Sequence, residues 1–362
     1  MVQGVLWDDK SREAVSDKMI YDCFTFFNEL DLLEIRLNVL APVVDKFVIV
    51  EATRTHSGKP KSLYYETNKA RYAMFADKII HVVVDDFSEV KESSSAMEQA
   101  WARENIQRNA IIRGLEFAGA EDLVIISDLD EIPNLESARS FMACPSGVAR
   151  FEQRLGCYYL NMFTCAQKTM RAGSIMMRRR TLDDARICGR PDARGDGVVS
   201  YVNEGITITK WRRYLRNERI IRNGGWHFSY LGGADVVAEK LKSIVEGGLV
   251  VDSTRLREYA LARIANGEDI LKRGERMVAR EIDDFFPPYI RNNQQRYKDL
   301  IFPVTADYLK RVRWVPLVAW LAVCPRMIAF WLFPDCAYVA IRNVLRRWKR
   351  QGKGVTNRER LG

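Results

Sequence analysis

The sequence has little histidine and no closely paired cysteines. Only three histidines occur among the 362 residues, and the seven cysteines are scattered without a Cys-x-x-Cys pair. We therefore expect neither a zinc site nor a disulfide framework, and a reducing compartment fits this pattern best. The first eighteen residues are polar and charged and contain no apolar run, so no signal peptide or N-terminal anchor is expected.

The chain carries a net charge of +9, and much of the basic excess lies from Lys310 onward. Basic residues there flank the longest apolar stretch, Trp314–Pro334, and this placement favours a membrane surface over nucleic acid as the partner. The stretch contains Pro316, Pro325 and Arg326, and an arginine near the centre of a spanning helix costs roughly 2.5 to 3.5 kcal/mol. We expect an interfacial hairpin or in-plane helix, with a buried C-terminal helix pair as the alternative, and a membrane-associated protein at the cytoplasmic face.

Short β-like runs alternate with helical runs from Met19 onward. This alternation predicts an α/β protein with a mainly parallel central sheet flanked by helices. We divide the chain into an N-terminal extension (1–18), one α/β domain (19–310) and a helical, membrane-associating tail (311–362).

Two loops of the predicted domain follow β-like runs. The loop Thr53–Ser62 follows the run Lys46–Val50, and the segment Ser127–Pro133 directly follows the run Leu123–Ile126. Ligands of such sheets bind beyond the carboxyl ends of the strands. The two loops are therefore expected to face one crevice.

A long helix is predicted between these two loops, from Ser93 to about Phe117. Ser95 and Glu98 have the spacing of a capping box, which satisfies the first backbone N–H groups of a helix. Gly119 is expected to stop the helix.

The segment Asp128-Leu129-Asp130 is a candidate metal site. Alternate residues of an extended segment point the same way, so both carboxylates can face one ligand. Two carboxylates at a strand end can hold Mn²⁺ or Mg²⁺ under an anionic diphosphate. An Asp-x-Asp on a loop is more often solvated or capping, but here a β-like run precedes it, and Glu131 and Pro133 follow it.

His227 is a second candidate metal ligand. An imidazole can complete a coordination sphere from another part of the fold, and Gly224-Gly225 just before it permits close backbone approach. The alternative is a core histidine that is hydrogen-bonded to the backbone.

Other polar residues are candidates for binding an anionic nucleotide. Arg54 and Lys59 lie in the first loop, where a cation can pair with phosphate or stack on a ring. Asn28 and Glu29 lie at the start of a predicted helix, and Arg108 lies on the long helix. Surface solvation, helix capping and an exposed helix face are the respective alternatives.

Several separate blocks of the sequence resemble glycosyltransferase family 17, which includes the β-1,4-mannosyl-glycoprotein 4-β-N-acetylglucosaminyltransferases. The resemblance covers roughly residues 19–272 and is specific because the blocks occur in the same order. The blocks are Tyr21–Leu37, Asp45–Thr55 with Gly58–Pro60, Gln107–Ala110, Ser127–Pro133 and Gly225–Gly233.

The resemblance implies a GT-A-like fold, a nucleotide-sugar donor (UDP-GlcNAc in the characterised members), a glycan acceptor, Mn²⁺ or Mg²⁺, and inversion at the anomeric carbon. The donor-binding candidates are Asn28, Glu29, Glu51, Arg54, Lys59, Arg108 and Asp128, and the metal candidates are Asp128, Asp130 and His227. The sequence departs from the family at Thr169–Ser174, where Met170 replaces an expected tryptophan, and at Val245-Glu246, where a Ser-His pair is expected. These positions are where an acceptor could bind, so the acceptor's identity is open.

An inverting transfer needs a base that takes the proton of the acceptor hydroxyl. Asp235 is the first candidate, because it follows Gly232-Gly233 and is close in sequence to His227. Glu204 is the second. The alternative for Asp235 is a helix cap.

Two other functions compete with sugar transfer. A β run that ends in Asp-x-Asp also occurs in haloacid-dehalogenase-like phosphatases, although their motif is usually N-terminal and is not followed by Glu-Ile as it is here. A non-catalytic, membrane-associated binding protein is the third hypothesis, and the intact Asp128, Asp130 and His227 argue against it. Donor hydrolysis with and without Mn²⁺ would separate the three.

Overall fold

A computed structural model describes residues 18–164, 169–170, 173–182, 219–243, 255–270 and 276–305. The chain divides into two units, Met1–Pro303 and Val304–Gly362, and the structure below is that of the first. The N-terminal extension before residue 18, Glu204, Val245-Glu246 and the tail 311–362 lie outside the described residues. No helix within the described ranges is long and apolar enough to cross a membrane. The membrane-associating tail therefore stays a prediction.

The described strands form two sheets. The larger has seven strands in the order β3-β2-β1-β4-β10-β6-β11, and the smaller has the order β13-β8-β7-β12-β5 with β9 beside β7. The strands are β1 Ile20–Phe26, β2 Lys46–Ala52, β3 Ile79–Val84, β4 Leu123–Asp128, β5 Glu131–Pro133, β6 Val148–Phe151, β7 Gln153–Cys157, β8 Met162–Thr164, β9 Thr169–Met170, β10 Ile175–Arg178, β11 Arg219–Ile221, β12 Gly225–Ser229 and β13 Met277–Ala279.

The larger sheet is mainly parallel, as the sequence predicted. Strands β3, β2, β1 and β4 run parallel to one another, whereas β10 runs antiparallel to both β4 and β6. Strands β1, β2 and β4 are mostly apolar and nearly fully buried, as expected when both faces of a sheet are covered, whereas the edge strand β3 is only partly buried. The smaller sheet, in which most pairs are antiparallel, was not predicted, because its strands are short and have no clear alternation.

Helical segments cover both faces of the larger sheet. The helices are α1 Leu30–Leu40, α2 Tyr64–Asn68, α3 Ala96–Asn109, α4 Arg139–Ala143, α5 Gly233–Ser243, α6 Leu256–Ala265 and α7 Pro288–Asn292. Helix α1 lies on one face, and the end of α3 lies on the other. Successive side chains of β1 point to opposite faces of the sheet, and each face has its own apolar core. Phe24 of β1 packs in one core with Leu33 of α1, whereas Cys23 of β1 packs in the other core with Leu115. The predicted α/β class with a central sheet flanked by helices is confirmed.

The capping box at the start of α3 is confirmed. Ser95 Oγ accepts the Glu98 N–H, and the Glu98 carboxylate accepts the Ser95 N–H at 2.8 Å. The prediction of one helix to about Phe117 was wrong in detail, because α3 ends at Asn109 and a 3₁₀ helix continues to Leu115. The tighter turn brings Gly114 so close to β2 that an added Cβ would lie 2.2 Å from the Val48 side chain.

Candidate active site

The functional candidates converge on the turn between β4 and β5. Strand β4 belongs to the larger sheet and β5 to the smaller one. Asp128 is the last residue of β4 and Glu131 is the first residue of β5, so the turn connects the two sheets. The parallel pairing of β1 with β4 aligns Thr25 with Asp128, which places the turn at the carboxyl edge of the parallel strands. The predicted crevice lies at this edge.

The two aspartates of the turn have different partners. Arg108 Nη1 on α3 lies 2.5 Å from Asp128 Oδ1. Asp130 Oδ2 lies 3.2 Å from His227 Nε2 on β12 and 3.8 Å from Lys240 Nζ on α5. The chain turns at Leu129-Asp130 and does not stay extended there, so each carboxylate meets its own partners. That both carboxylates can face one ligand stays a prediction.

A buried arginine fixes the backbone of this turn. Arg36 Nη1 donates to the carbonyl oxygens of Asp128, Leu129 and Glu131 at 3.0, 3.1 and 2.8 Å. Sequence reasoning missed Arg36, although a charged residue within the apolar run of α1 was the available signal. Its side chain is fully buried, which is rare for arginine unless its donors are paired.

Three further hydrogen bonds hold the turn. The Glu131 carboxylate accepts the Asp128 N–H at 2.9 Å, and Ser174 Oγ donates to the Glu131 carbonyl at 2.9 Å. The Phe228 N–H donates to the Asp130 carbonyl at 2.8 Å. The backbone of the turn is thus set in place by the protein itself, so a ligand would meet a preorganised site.

His227 reaches Asp130 because β12 packs directly beside β5. Gly225 makes this approach possible: its φ is +125°, and an added Cβ would lie 2.1 Å from the Ile132 carbonyl oxygen. Burial lowers the pKa of His227, but the charge and hydrogen bond of Asp130 outweigh burial, and the pKa is raised. The histidine faces a carboxylate, in contrast to the backbone-bonded core histidine considered from sequence.

Asp130 and His227 form the part of this site that fits a divalent cation. A carboxylate oxygen and an imidazole nitrogen lie side by side, and both groups are metal ligands. Among the described residues no three His, Cys, Asp or Glu side chains are gathered to hold a metal, since Asp128 is turned onto Arg108. A cation with few protein ligands completes its shell with substrate phosphates, as Mg²⁺ commonly does.

The loop Thr53–Ser62 is fastened to α3 beside Asp128. Gln107 contacts His56 Nε2 at 3.3 Å, and Arg103 donates to the His56 carbonyl at 3.0 Å. Burial lowers the pKa of His56, and the neighbouring Glu104 and Gln107 act in the opposite direction. Because Gln107 and Arg108 are consecutive on α3, this helix brings the loop and Asp128 to one crevice, as predicted.

The other donor-binding candidates of this region differ in accessibility. Arg54 and Lys59 are exposed, and Arg54 donates to the Gly58 carbonyl at 3.1 Å. Glu51 is fully buried and accepts the backbone N–H groups of Tyr64 and Tyr65 at the start of α2. Within the described residues, Glu51 therefore fixes the end of the loop, whereas Arg54 and Lys59 remain open to a ligand.

Glu29 joins the site through a lysine that sequence reasoning missed. Lys240 Nζ lies 3.3 Å from Glu29 Oε1, and Glu29 Oε2 accepts the Asn28 N–H at 3.1 Å. Burial lowers the pKa of Lys240, but Glu29 and Asp130 outweigh it and the pKa is raised. Nothing in the local sequence distinguished Lys240 from any other lysine on an amphipathic helix.

The structure does not bring the first base candidate to this site. Asp235 is exposed in the first turn of α5, and Arg257 Nε of α6 lies 2.5 Å from its Oδ1. Glu204 lies outside the described residues, and only the backbone of Met170 is described. The base assigned from sequence therefore stays a prediction.

The chain matches known proteins over its N-terminal half. Residues 6–183 match glycosyltransferase family 17. The β-1,4-mannosyl-glycoprotein 4-β-N-acetylglucosaminyltransferase of Rattus norvegicus is 26% identical over 118 residues, which cover 32% of this chain and 22% of the relative. The Homo sapiens enzyme of the same name is 29% identical over 108 residues, which cover 29% of this chain and 20% of the relative. The chain thus spans about a fifth of the length of these relatives.

Solved structures show weaker similarity. Glucosyl-3-phosphoglycerate synthase from Mycobacterium tuberculosis in complex with UDP is 14% identical, covers 42% of this chain and 51% of that chain, and has a TM-score of 0.24. The same enzyme with phosphoglyceric acid is 12% identical, covers 63% and 77%, and has a TM-score of 0.29. At such scores the likeness carries no argument.

The resemblance to glycosyltransferase family 17 predicted from the sequence blocks is confirmed. Residues 6–183 match the model of that family. This region contains β1 to β4, α1, α3 and the turn with Asp128 and Asp130, but His227 and Lys240 lie beyond it.

Proposed function

We propose that this protein is a metal-dependent glycosyltransferase that moves GlcNAc from UDP-GlcNAc to a glycan acceptor with inversion. The observation that supports the proposal is the pair of Asp130 Oδ2 and His227 Nε2, 3.2 Å apart. Asp130 lies on the turn that follows β4, inside the region that matches family 17, whereas His227 comes from β12 outside that region. GlcNAc as the transferred sugar is taken from the names of the similar enzymes, and UDP as its carrier is taken from the family resemblance of the sequence blocks.

The sheet supports a GT-A-like arrangement. Its parallel strands end at one edge, and antiparallel β10 follows β4. In open α/β sheets of this kind, nucleotides bind beyond the carboxyl ends of the strands. The Asp128–Asp130 turn and the loop Thr53–Ser62 are the segments at that edge.

The charges of the crevice suit a nucleotide diphosphate. Arg108 on one side of the turn and Lys240 on the other are cations held by carboxylates. A donor diphosphate competes with Asp128 for Arg108, since a guanidinium can bind phosphate through two N–H groups. The exposed Arg54 and Lys59 lie on the loop that a hydrogen bond from Arg103 of α3 holds on the Asp128 side of the turn.

Asp130 and His227 would hold the cation. Asp128 could become a third ligand when the donor diphosphate replaces it as the partner of Arg108. A bound Mn²⁺ or Mg²⁺ supplies positive charge that offsets the charge developing on the leaving diphosphate. The protein's own contribution is to hold the backbone of the turn in place through Arg36.

The proposal is tested with Asp130→Ala in the full chain. UDP-GlcNAc turnover is measured with and without Mn²⁺, and UDP binding is measured by calorimetry. We expect Asp130→Ala to abolish Mn²⁺-dependent turnover without changing the melting temperature by more than a few degrees, because the carboxylate lies in a crevice outside the core. The exposed Asp299 provides the matched control, since Asp299→Ala should behave like wild type.

Each competing function gives a different result. A phosphatase would release phosphate from p-nitrophenyl phosphate, and a non-catalytic protein would bind UDP without turning over UDP-GlcNAc. Near-wild-type turnover by Asp130→Ala at saturating donor would refute the assigned metal site. A thermal-shift screen of nucleotide sugars identifies the donor, since a bound donor stabilises the folded state by mass action.

A further inference from the structure

A shallow pocket, open to solvent, lies on the side of the turn that Asp130 faces. It lies between the end of β1, the start of α1, β12 and α5. Its lining residues are Phe27, Asn28, Glu29, Leu32, Phe228, Leu231, Val236, Glu239 and Lys240.

Two contacts join this pocket directly to Asp130. The Phe228 N–H donates to the Asp130 carbonyl at 2.8 Å, and Lys240 Nζ lies 3.8 Å from Asp130 Oδ2. The loop Thr53–Ser62 and Arg108 lie on the other side of the turn, next to Asp128. A donor that lies along the turn with its nucleotide toward Asp128 would point its sugar toward Asp130 and this pocket.

The walls of the pocket have the chemistry of a saccharide site. Leu32, Phe228 and Leu231 are buried apolar residues, whereas Glu239 and Lys240 form a polar edge. A sugar ring likewise has an apolar C–H face and an edge of hydroxyl groups. Small-molecule sites commonly combine mostly apolar walls with a few polar groups that fix orientation.

The pocket contains two carboxylates with different surroundings. Glu29 is engaged, because it binds Lys240 Nζ at 3.3 Å and the Asn28 N–H at 3.1 Å. Glu239 is exposed and makes no hydrogen bond or ion pair with the described residues. It lies one helical turn after Asp235, which points to Arg257. Of the two carboxylates, Glu239 is the one whose oxygens are open to a ligand.

We propose that this pocket binds the acceptor sugar and that Glu239 is the base of the transfer. The acceptor oxygen forms a bond to the anomeric carbon of the donor while the bond from that carbon to the diphosphate oxygen breaks. The electron pair of the broken bond leaves with the diphosphate, and the hydroxyl proton passes to the Glu239 carboxylate. This inference rests on the proposed function and deepens it.

The test measures donor binding and transfer separately in the full-length protein. UDP binding is measured by calorimetry, and transfer from UDP-GlcNAc is measured with four acceptor probes, the methyl β-glycosides of mannose, glucose, galactose and N-acetylglucosamine. We expect Glu239→Gln to lower kcat by about 10²- to 10⁴-fold, the usual contribution of a general base, with unchanged UDP affinity. The exposed Glu258 of α6 supplies the control, and Glu258→Gln should match wild type.

A second variant tests the pocket itself. Val236→Phe places a larger side chain in the lining of the pocket and should raise the KM for the methyl glycoside without changing UDP affinity. Because Glu239 is exposed, Glu239→Gln should remain folded, and Glu239→Ser serves as the second substitution at that position.

The outcomes separate this inference from the proposed function. If wild type neither binds UDP nor turns over UDP-GlcNAc, the proposed function fails. If wild type transfers the sugar and both Glu239 variants transfer at the wild-type rate, the base assignment fails while the function stands. Hydrolysis of UDP-GlcNAc by wild type without transfer to any of the four glycosides would overturn the pocket as an acceptor site.

Discussion

Arg36 and Asp22 form a doubly hydrogen-bonded ion pair, with 2.8 Å between Nε and Oδ2, 2.6 Å between Nη2 and Oδ1, and neither side chain exposed. The pair satisfies the carboxylate and leaves Nη1 of Arg36 for the carbonyl groups of the Asp128–Glu131 turn. The position of the turn is therefore tied to a buried charge. Such a charge is costly to leave without its partner.

Breaking this pair should destabilise the whole domain. Removing one partner of a buried ion pair typically costs about 3 to 5 kcal/mol, so we expect Asp22→Asn to lower the free energy of unfolding by that amount in urea titrations. Lys69 and Glu66 form a pair that is 62% and 47% exposed, and Lys69→Ala should cost at most about 1 kcal/mol. Equal losses for the two variants would contradict the assigned role of Asp22.

His227→Ala should weaken metal binding without removing the donor's need for a cation. Losing one ligand lowers affinity, so the Mn²⁺ concentration for half-maximal turnover of UDP-GlcNAc should rise, and excess Mn²⁺ should restore part of the rate. His227 is 9% exposed, so a melting curve accompanies the titration. An unchanged Mn²⁺ requirement in the folded variant would remove His227 from the metal site.

Gly225 should be intolerant of any side chain. In Gly225→Ala the added Cβ meets the Ile132 carbonyl oxygen at 2.1 Å, whereas at Gly147, where φ is +64°, an added Cβ meets nothing within 4 Å. Gly147→Ala should therefore cost only the backbone strain of a left-handed residue, roughly 1 to 2 kcal/mol. Gly225→Ala should cost more and should also reduce turnover, because it displaces β12 and His227. A loss at Gly225 no larger than that at Gly147 in urea unfolding would argue against the close contact.

Acidification should weaken the attachment of the loop Thr53–Ser62 to α3. Burial is the largest cause of the lowered pKa of His56, so the folded state resists its protonation more than the unfolded chain does. The contribution of His56 is fully present above its unfolded pKa of about 6.5 and is lost as the pH falls through the folded value. Between pH 7.5 and pH 5, wild type should lose more stability in urea than His56→Gln; parallel losses would contradict this.

Deleting everything after Val312 should move the protein from the membrane fraction to the soluble one. The reason is the apolar stretch Trp314–Pro334 with its flanking basic residues, which favour an anionic membrane surface. Sedimentation with anionic vesicles measures this, and UDP binding checks that the donor site is unharmed. Equal sedimentation of the two proteins would count against a membrane role for the tail.

Local patterns in the sequence predicted much of the framework. The run Lys46–Val50 predicted β2, which spans Lys46–Ala52, and the spacing of Ser95 and Glu98 predicted the start of α3. These features depend on neighbouring residues, so periodicity and capping are sufficient to find them. The smaller sheet was missed because its strands gain their stability from pairing between distant segments.

The site was predicted in part. Asp128, Asp130 and His227 were identified from a motif, two glycines and the family resemblance, and the structure brings Asp130 and His227 together. Arg36 and Lys240 were missed, since the contacts that bring them to the site are distant in sequence: Ser127 lies 91 residues from Arg36, and Glu29 lies 211 residues from Lys240. No local sequence pattern indicates contacts between residues so far apart in the chain.

The sequence by itself determined the resemblance to family 17, the α/β class and the acidic segment at the end of β4, because each depends on contiguous residues. Only the tertiary structure decided which side chains contact the two aspartates of that turn. It gives the two carboxylates different partners: Arg108 binds Asp128, whereas His227 and Lys240 lie beside Asp130. The physical reason is that the direction of a side chain in a turn depends on the charges that the fold packs against it, and these come from α3, β12 and α5.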